Sequence, residues 1–181
     1  MSNNSIGWGK CSILVKDLDI PSAKWTKLPT PKEGTAKLST SKGDKKEAKI
    51  EGGENEDVKF MKSTYTVEYG IRRNAIRKKP FADKNGVIEH HYAIFVQPEN
   101  KDVPGPYVKK TTVSLEETFD SDEGGLLSYS HDSLVPDDNS AQVQWGTIKE
   151  DLSAIKEGAT IEDSKFVFTD IDAASSSNPV G

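Results

Sequence analysis

The stretch Thr64-Tyr-Thr-Val-Glu-Tyr-Gly-Ile-Arg72 alternates, with Tyr65, Val67, Tyr69 and Ile71 on one side of the chain and Thr64, Thr66, Glu68 and Arg72 on the other. Successive side chains of an extended chain point to opposite faces, so the pattern predicts a strand with one face in a core and the other in water. Outward from it, residues 87–96 repeat the alternation with His90, Tyr92, Ile94 and Val96 in phase. That run is entered through Asp83-Lys-Asn-Gly86, whose Asn85-Gly86 pair suits a turn needing positive φ. Two more alternating runs follow, 111–119 with Val113, Leu115, Glu117 and Phe119 in phase, and 126–134 with Leu127, Tyr129, His131 and Ser133 in phase. Asp120-Ser-Asp-Glu-Gly-Gly125 between them reads as a hairpin connection. Shorter strands are expected at 11–16, 46–50, 142–148 and 165–169. One helical candidate, 150–157, places Leu152 and Ile155 on a common face before Gly158 stops it.

Eight or so strands at intervals of about 10 to 20 residues, with almost no helix, predict an all-β fold. The expected architecture is an antiparallel β-sandwich or partly open barrel, with one short helix and a protruding charged loop or hairpin. Doubly wound folds are excluded. With 181 residues the chain suits one domain, expected over 1–172. Its first 40 residues are expected to be irregular, since Pro21, Pro29 and Pro31 interrupt 19–35. A charged arm is expected at 42–57, and the small polar segment 173–181 is expected to be a disordered tail.

Hydrophobic residues make up 34% of the chain and charged residues 29%, with no apolar run near the roughly 18 residues of a helical membrane span. No membrane partner is expected. The first ten residues lack a basic patch followed by an apolar stretch, which gives no sign of a secretory signal and an expectation of assembly in the cytoplasm. A single cysteine, Cys11, cannot form an internal disulfide and, beside an apolar strand, is expected to be a buried inert thiol. The net charge is −5, and the only arginines are Arg72, Arg73 and Arg77, which leaves little for sequence-specific DNA reading through bidentate contacts to guanine.

Signatures of phosphate-binding loops, serine hydrolases and zinc enzymes are absent, so no catalytic residue, cofactor or metal is expected. His90 and His91, adjacent on one strand, point to opposite faces and do not easily share an ion; His131 with one of them could offer two ligands, but packing is the better reading. Asp120 opens a calcium-like loop, yet Gly124 and His131 stand where a fifth-position ligand and a bidentate Glu are needed. Nothing in the sequence places Glu68 opposite a second acid, as a two-carboxylate hydrolase requires.

Charge segregation carries more. Glu51-Gly-Gly-Glu-Asn-Glu-Asp57 is acidic, Arg72-Arg-Asn-Ala-Ile-Arg-Lys-Lys79 is basic, and the strand between holds them apart by several Debye lengths. They are either two solvated loops, or the acidic end of one subunit meets the basic end of another in head-to-tail assembly. Lys42-Gly-Asp-Lys-Lys-Glu-Ala-Lys-Ile50 is charged on both faces, as in a projecting arm or an edge strand protected by lysines. The candidate contact residues are Lys45, Lys46, Glu47, Lys49, Glu51, Glu54, Glu56 and Asp57 on the arm, and Arg72, Arg73, Arg77, Lys78 and Lys79 in the basic patch.

The segment from Lys42 to Glu54, followed by Asp57-Val-Lys59 and the strand from Tyr65 to Ile71, resembles the central part of phage tail tube proteins, especially those of phages and prophages of Bacteroidetes. Phe95-Val-Gln-Pro-Glu99, the run around Val113-Ser-Leu-Glu-Glu117 and residues 129–136 are similar to the later part of that family, so the likeness covers about residues 40–136. It implies a virion structural protein, a tail tube subunit located in the virion tail and assembled in the host cytoplasm. Its fold would be a small β-sandwich forming hexameric rings stacked into a hollow tube, with one sheet lining the lumen and residues 42–57 as the inter-ring loop. The implied partners are further copies of itself, other tail proteins, and DNA crossing the lumen during ejection without sequence-specific binding. Acidic groups facing the lumen would repel its phosphates. The alternative from the residues is a monomeric β-sandwich binding module for carbohydrate or peptide, with Trp8, Trp25 or Trp145 as stacking platforms.

Overall fold

Alternation at the deciding stretch becomes strand β6 (Thr64–Arg72), with Val67, Tyr69 and Ile71 buried and Glu68 half-buried on the opposite face. The computed structural model describes residues 6–173. Ahead of β6 come β1 (Ser12–Asp17), β2 (Trp25–Lys27), β3 (Lys37–Ser41), β4 (Lys45–Lys49) and β5 (Asn55–Phe60). After it come β7 (Val87–Gln97), β8 (Gly105–Asp120), β9 (Gly124–Ser133), β10 (Val143–Thr147), β11 (Thr160–Ile161) and β12 (Thr169–Asp170). The main sheet is antiparallel in the order β11-β2-β1-β7-β8-β9-β6-β3, with β10 and β12 attached beside the start of β8. It does not close into a barrel, and the fold is all-β and sandwich-like.

The inner face gathers Ile13 and Val15 of β1, Val67, Tyr69 and Ile71 of β6, Ile88, Tyr92 and Ile94 of β7, Val108 and Val113 of β8, and Leu127 and Tyr129 of β9. Phe81, from the loop between β6 and β7, plugs this core edge-on against Tyr92 and Tyr129. The Asn85-Gly86 turn has the positive φ its residues suggest, 52° and 79°.

A second core lies on the opposite face of β1 and β7, where Leu14, Ala93 and Phe95 pack with Trp25, Ile148, Leu152 and Ile161. The chain after β10 therefore covers a face that the central strands must bury on both sides. Buried Gln97 holds this cover by donating to the carbonyl of Glu150 at 2.9 Å and accepting from the amide of Leu152 at 2.9 Å.

Several expectations need correction. The helix expected at 150–157 is a single 3₁₀ turn, Leu152–Ala154, because Leu152 and Ile155 reach the cover without a longer helix. Of the strand expected at 165–169 only Thr169 pairs, in β12; Asp163–Lys165 is a second 3₁₀ turn. Within the first 40 residues, expected to be irregular, β1, β2 and most of β3 belong to the sheet, and Trp25 anchors the second core. The β7-β8 ladder is irregular between Val87 and His91, and His90, expected in phase with buried Tyr92 and Ile94, is exposed. Cys11 is half-buried, and burial pushes its thiol pKa up, as suits an inert thiol. The tail beyond Ala173 lies outside the described residues.

One polar chain crosses the inner core. The Thr111 hydroxyl donates to the Tyr92 carbonyl at 2.7 Å, so it accepts from His131 Nδ1 at 3.0 Å; Nε2 then accepts from the Tyr69 hydroxyl at 2.7 Å. Each link fixes the next, and the imidazole is neutral with its proton on Nδ1. Burial pushes the pKa of His131 down to about 3. Unfolded chains bind a proton at this residue below about pH 6.5 that the folded chain refuses, so its contribution to stability is complete above that pH and is lost as pH falls toward 3. His90, held above its usual pKa by the Asp17 carboxylate, acts with the opposite sign, and its contribution fades as pH rises. We therefore predict, from denaturant unfolding at pH 7 and pH 5, that wild type loses on the order of 2 kcal/mol more over this interval than His131→Gln, which starts less stable. Parallel losses in the two proteins would contradict the buried neutral imidazole.

Candidate functional site

Beyond Ser41 and Thr64 the chain leaves the body as the hairpin β4-β5, which shares no ladder with the main sheet. Its register continues that of the β3-β6 ladder: Ser41 faces Thr64, the Met61 amide donates to the Asp44 carbonyl at 2.8 Å, and Lys45 faces Phe60. Gly43 sits at the junction, where a Cβ would collide with the Met61 carbonyl, so the two strands approach there as only glycine permits. At the tip Gly53 donates to the Ile50 carbonyl at 3.1 Å, and Gly52 and Gly53 take φ of 99° and 86°. The observed arm thus spans 45–60, three residues past the expected boundary at Asp57, and about 25 Å from base to tip at 3.3 Å per residue.

Every residue of β4 and β5 is exposed. Cross-strand partners share a face, so Lys45, Phe60, Glu47 and Val58 lie on one side, and Lys46, Lys59, Ala48 and Asp57 on the other. Glu47 pairs with Lys45 and, at 3.7 Å, with Lys49; the Lys45 ammonium is the main cause of its lowered pKa. Lys46 and Lys59 stand directly opposite as like charges. Glu51, Glu54, Glu56 and Asp57 crowd toward the tip, so the stem is basic and the tip acidic. Phe60, 60% exposed, and Val58, Ile50 and Met61, each 39–46% exposed, leave apolar surface open.

The expected basic patch lies at the other end of β6, as the sequence suggested, but it is not free. Arg72 pairs with Glu123 at 3.0 Å, Arg73 with Glu117 at 3.3 Å, Arg77 with Glu157 at 3.1 Å, and Lys79 with Glu117 at 2.9 Å and Asp83 at 3.0 Å. Lys78 alone of the five makes no ion pair among the described residues. Lys79 holds the Glu117 carboxyl below its usual range, and Arg72 does the same to Glu123. The sequence reading missed these partners because most arrive from distant parts of the chain: Glu117 from β8, Glu123 from the β8-β9 turn and Glu157 from the loop before β11. This end also exposes large apolar side chains: Ile76 and Phe119, each 82% exposed, with Val87, Leu18 and Ile20.

Between the two ends, the open face of β3, β6, β9 and β8 is a shallow trough lined by Glu68, Ser114, Glu116, Ser128 and Ser130, with Lys37 paired to Glu68 at 3.0 Å. Small hydroxyls and acids dominate it. Of the aromatic platforms, Trp25 is buried and stacked on Phe166 at 4.0 Å, while Trp8 and Trp145 are exposed. His131 is committed to the core and joins neither His90 nor His91, and Glu123 of the calcium-like turn is held by Arg72 and Lys32.

Neither a family model nor a curated protein matches this sequence. The arm's geometry is directly testable at its junction. Replacing Gly43 by Val is expected to abolish the cross-strand proximities of Ala48 with Asp57 and Lys45 with Phe60 in an NMR spectrum, while the ladders of β6 with β9 remain intact. Persistence of the arm proximities would show that the close approach at Gly43 is dispensable.

Proposed function

We propose that this protein is a structural subunit that assembles with copies of itself, as a phage tail tube subunit does, with the arm of one copy docking on the opposite end of the next. The observation that carries this reading is a sixteen-residue hairpin, 45–60, extending into solvent with no residue of its strands buried. A lone two-stranded hairpin is marginal in water, because ordering each residue costs on the order of 1–2 kcal/mol and little is buried in return. Docking on another molecule would cover the surface that Val58 and Phe60 leave exposed.

The distribution of exposed apolar residues supports an axial contact. Ile50, Val58, Phe60 and Met61 lie on or at the base of the arm, and Leu18, Ile20, Ile76, Val87 and Phe119 at the opposite end. Since the basic residues of that end are internally paired, the acidic tip competes there with Glu117, Glu123 and Glu157. In this reading charge steers the encounter and sets its salt dependence, while apolar burial supplies affinity. The Ser- and Glu-lined trough is the face that suits a DNA-conducting lumen, because it offers phosphate few cations. A monomeric module for carbohydrate or peptide draws support from exposed Trp145, and loss of saturable glycan binding on Trp145→Ala would favour it.

Replacing Glu51, Glu54, Glu56 and Asp57 by Ser, and separately Phe60 by Ser, is expected to abolish the large species seen by negative-stain microscopy. The unfolding free energy should change by no more than about 0.5 kcal/mol, as for other exposed positions. Equal damage to folding and association, or a wild-type protein that is strictly monomeric at high concentration in low and moderate salt, would contradict the assembly reading.

A further inference from the structure

We propose that Asp17, Asp19 and His90 bind one divalent first-row metal ion, with zinc as the leading candidate. The inference is independent of the assembly reading. Strand β1 ends at Asp17, and the Asp19 amide turns back to donate to Asp17 Oδ1 at 2.9 Å. The Leu18 amide donates to the His91 carbonyl at 2.9 Å, which carries the β1-β7 pairing one step past Asp17. Beside this point the two rings meet carboxylates from the end of β1, His90 that of Asp17 and His91 that of Asp19. His90 Nδ1 lies 2.6 Å from Asp17 Oδ2, and one donor atom from each of Asp17, Asp19 and His90 lies within 4.8 Å of the other two. Ligands sharing an ion with bonds of about 2.0–2.2 Å stand no farther apart than about twice that length, so modest side-chain adjustment brings the set onto one ion.

Two further observations point to a cation. Neither Asp17 nor Asp19 pairs with a lysine or arginine among the described residues; the ion-pair partners they have are His90 and His91. Glu89 adds a third carboxylate whose charge reaches His90. Elsewhere this chain gives its paired carboxylates permanent cations, as at Glu117, Glu123 and Asp138. The proposed ligands are also held from behind. Asp19 Oδ2 accepts from the His91 amide at 2.8 Å and lies 3.2 Å from His91 Nδ1, and the Tyr92 hydroxyl bonds to Asp17. Such outer contacts orient carboxylate ligands. One imidazole nitrogen with two carboxylate oxygens suits zinc better than calcium, which prefers six to eight oxygens. Binding replaces the His90–Asp17 hydrogen bond with two metal bonds and releases the proton shared between them.

The test is calorimetric titration of the chelator-treated full chain with zinc chloride at pH 7.5, with parallel titrations of His90→Asn, Asp17→Asn and His91→Asn. We expect one equivalent bound by wild type, affinity reduced at least about 10-fold by His90→Asn and by Asp17→Asn, and a smaller loss on His91→Asn. The chain has three histidines, so imidazole NMR gives an internal control: zinc should move the His90 ring signals and leave buried His131 unmoved. His90 is exposed, so its variant is expected to fold and remains interpretable if Asp17→Asn does not. No saturable zinc binding, binding undiminished in folded His90→Asn, or a response to calcium without one to zinc overturns the proposal.

Discussion

One register runs through the β3-β6 ladder and out along the arm, and it ties the outside of this molecule to its core. Val67 and Tyr69 are locked inward by the inner core, which fixes the pleat of β6 and, through cross-strand pairing, the pleat of β3. The arm continues that pairing past Gly43, so the faces on which Phe60, Val58, Lys46 and Asp57 stand follow from residues buried well away from them. A one-residue slip would bring Glu68 into the core and reverse both faces of the arm. The body is therefore the device that aims the arm, and Gly43 is the joint at which the aim is transmitted.

The ends of the sheet are built on different principles. At the basic end, Glu117, Glu123, Glu157 and Asp83 neutralise four of the five expected cations, and large apolar side chains stand exposed beside them. At the arm end, charge is abundant and unevenly placed, and the apolar surplus sits on the hairpin. Ion pairs exposed to solvent contribute at most about 1 kcal/mol each, whereas covering a large apolar side chain contributes about 1.5–3 kcal/mol. That difference is why the assembly reading rests on Phe60, Val58, Ile76 and Phe119, with the acids as guides.

The inner face was legible in the sequence because alternation and burial coincide there. Tyr65 to Ile71 and Leu127 to His131 follow the two-residue period, and the Asn85-Gly86 turn announces itself through its φ requirement. The second core was not, because β7 is covered on both faces at Ala93 and Phe95, and its cover comes from a C-terminal segment with almost no regular structure of its own. Trp25 looked available for stacking on a ligand because its proline-flanked neighbours suggested a loop; its partners Phe166 and Tyr107 are far away in sequence. The arm was visible as charge on both faces of a strand, but Val58 and Phe60 escaped notice because the acidic run dominates that stretch. The basic patch was visible along the chain, but its ion-pair partners were not. The hairpin register that sets Leu126 against Arg72 brings Glu123 alongside it, a consequence that emerges only once pairing is known.

The claim that the arm is completed by another copy of the chain is tested most directly by amide hydrogen exchange, followed by mass spectrometry at increasing protein concentration. Exchange reports opening of individual backbone hydrogen bonds. The account predicts fast exchange across 45–60 in the dilute subunit, with protection rising together with association there and at 72–79 and 119–124, while the core strands stay protected throughout. Arm amides as slow in the dilute monomer as in the concentrated sample would contradict it, since the hairpin would then be stable by itself.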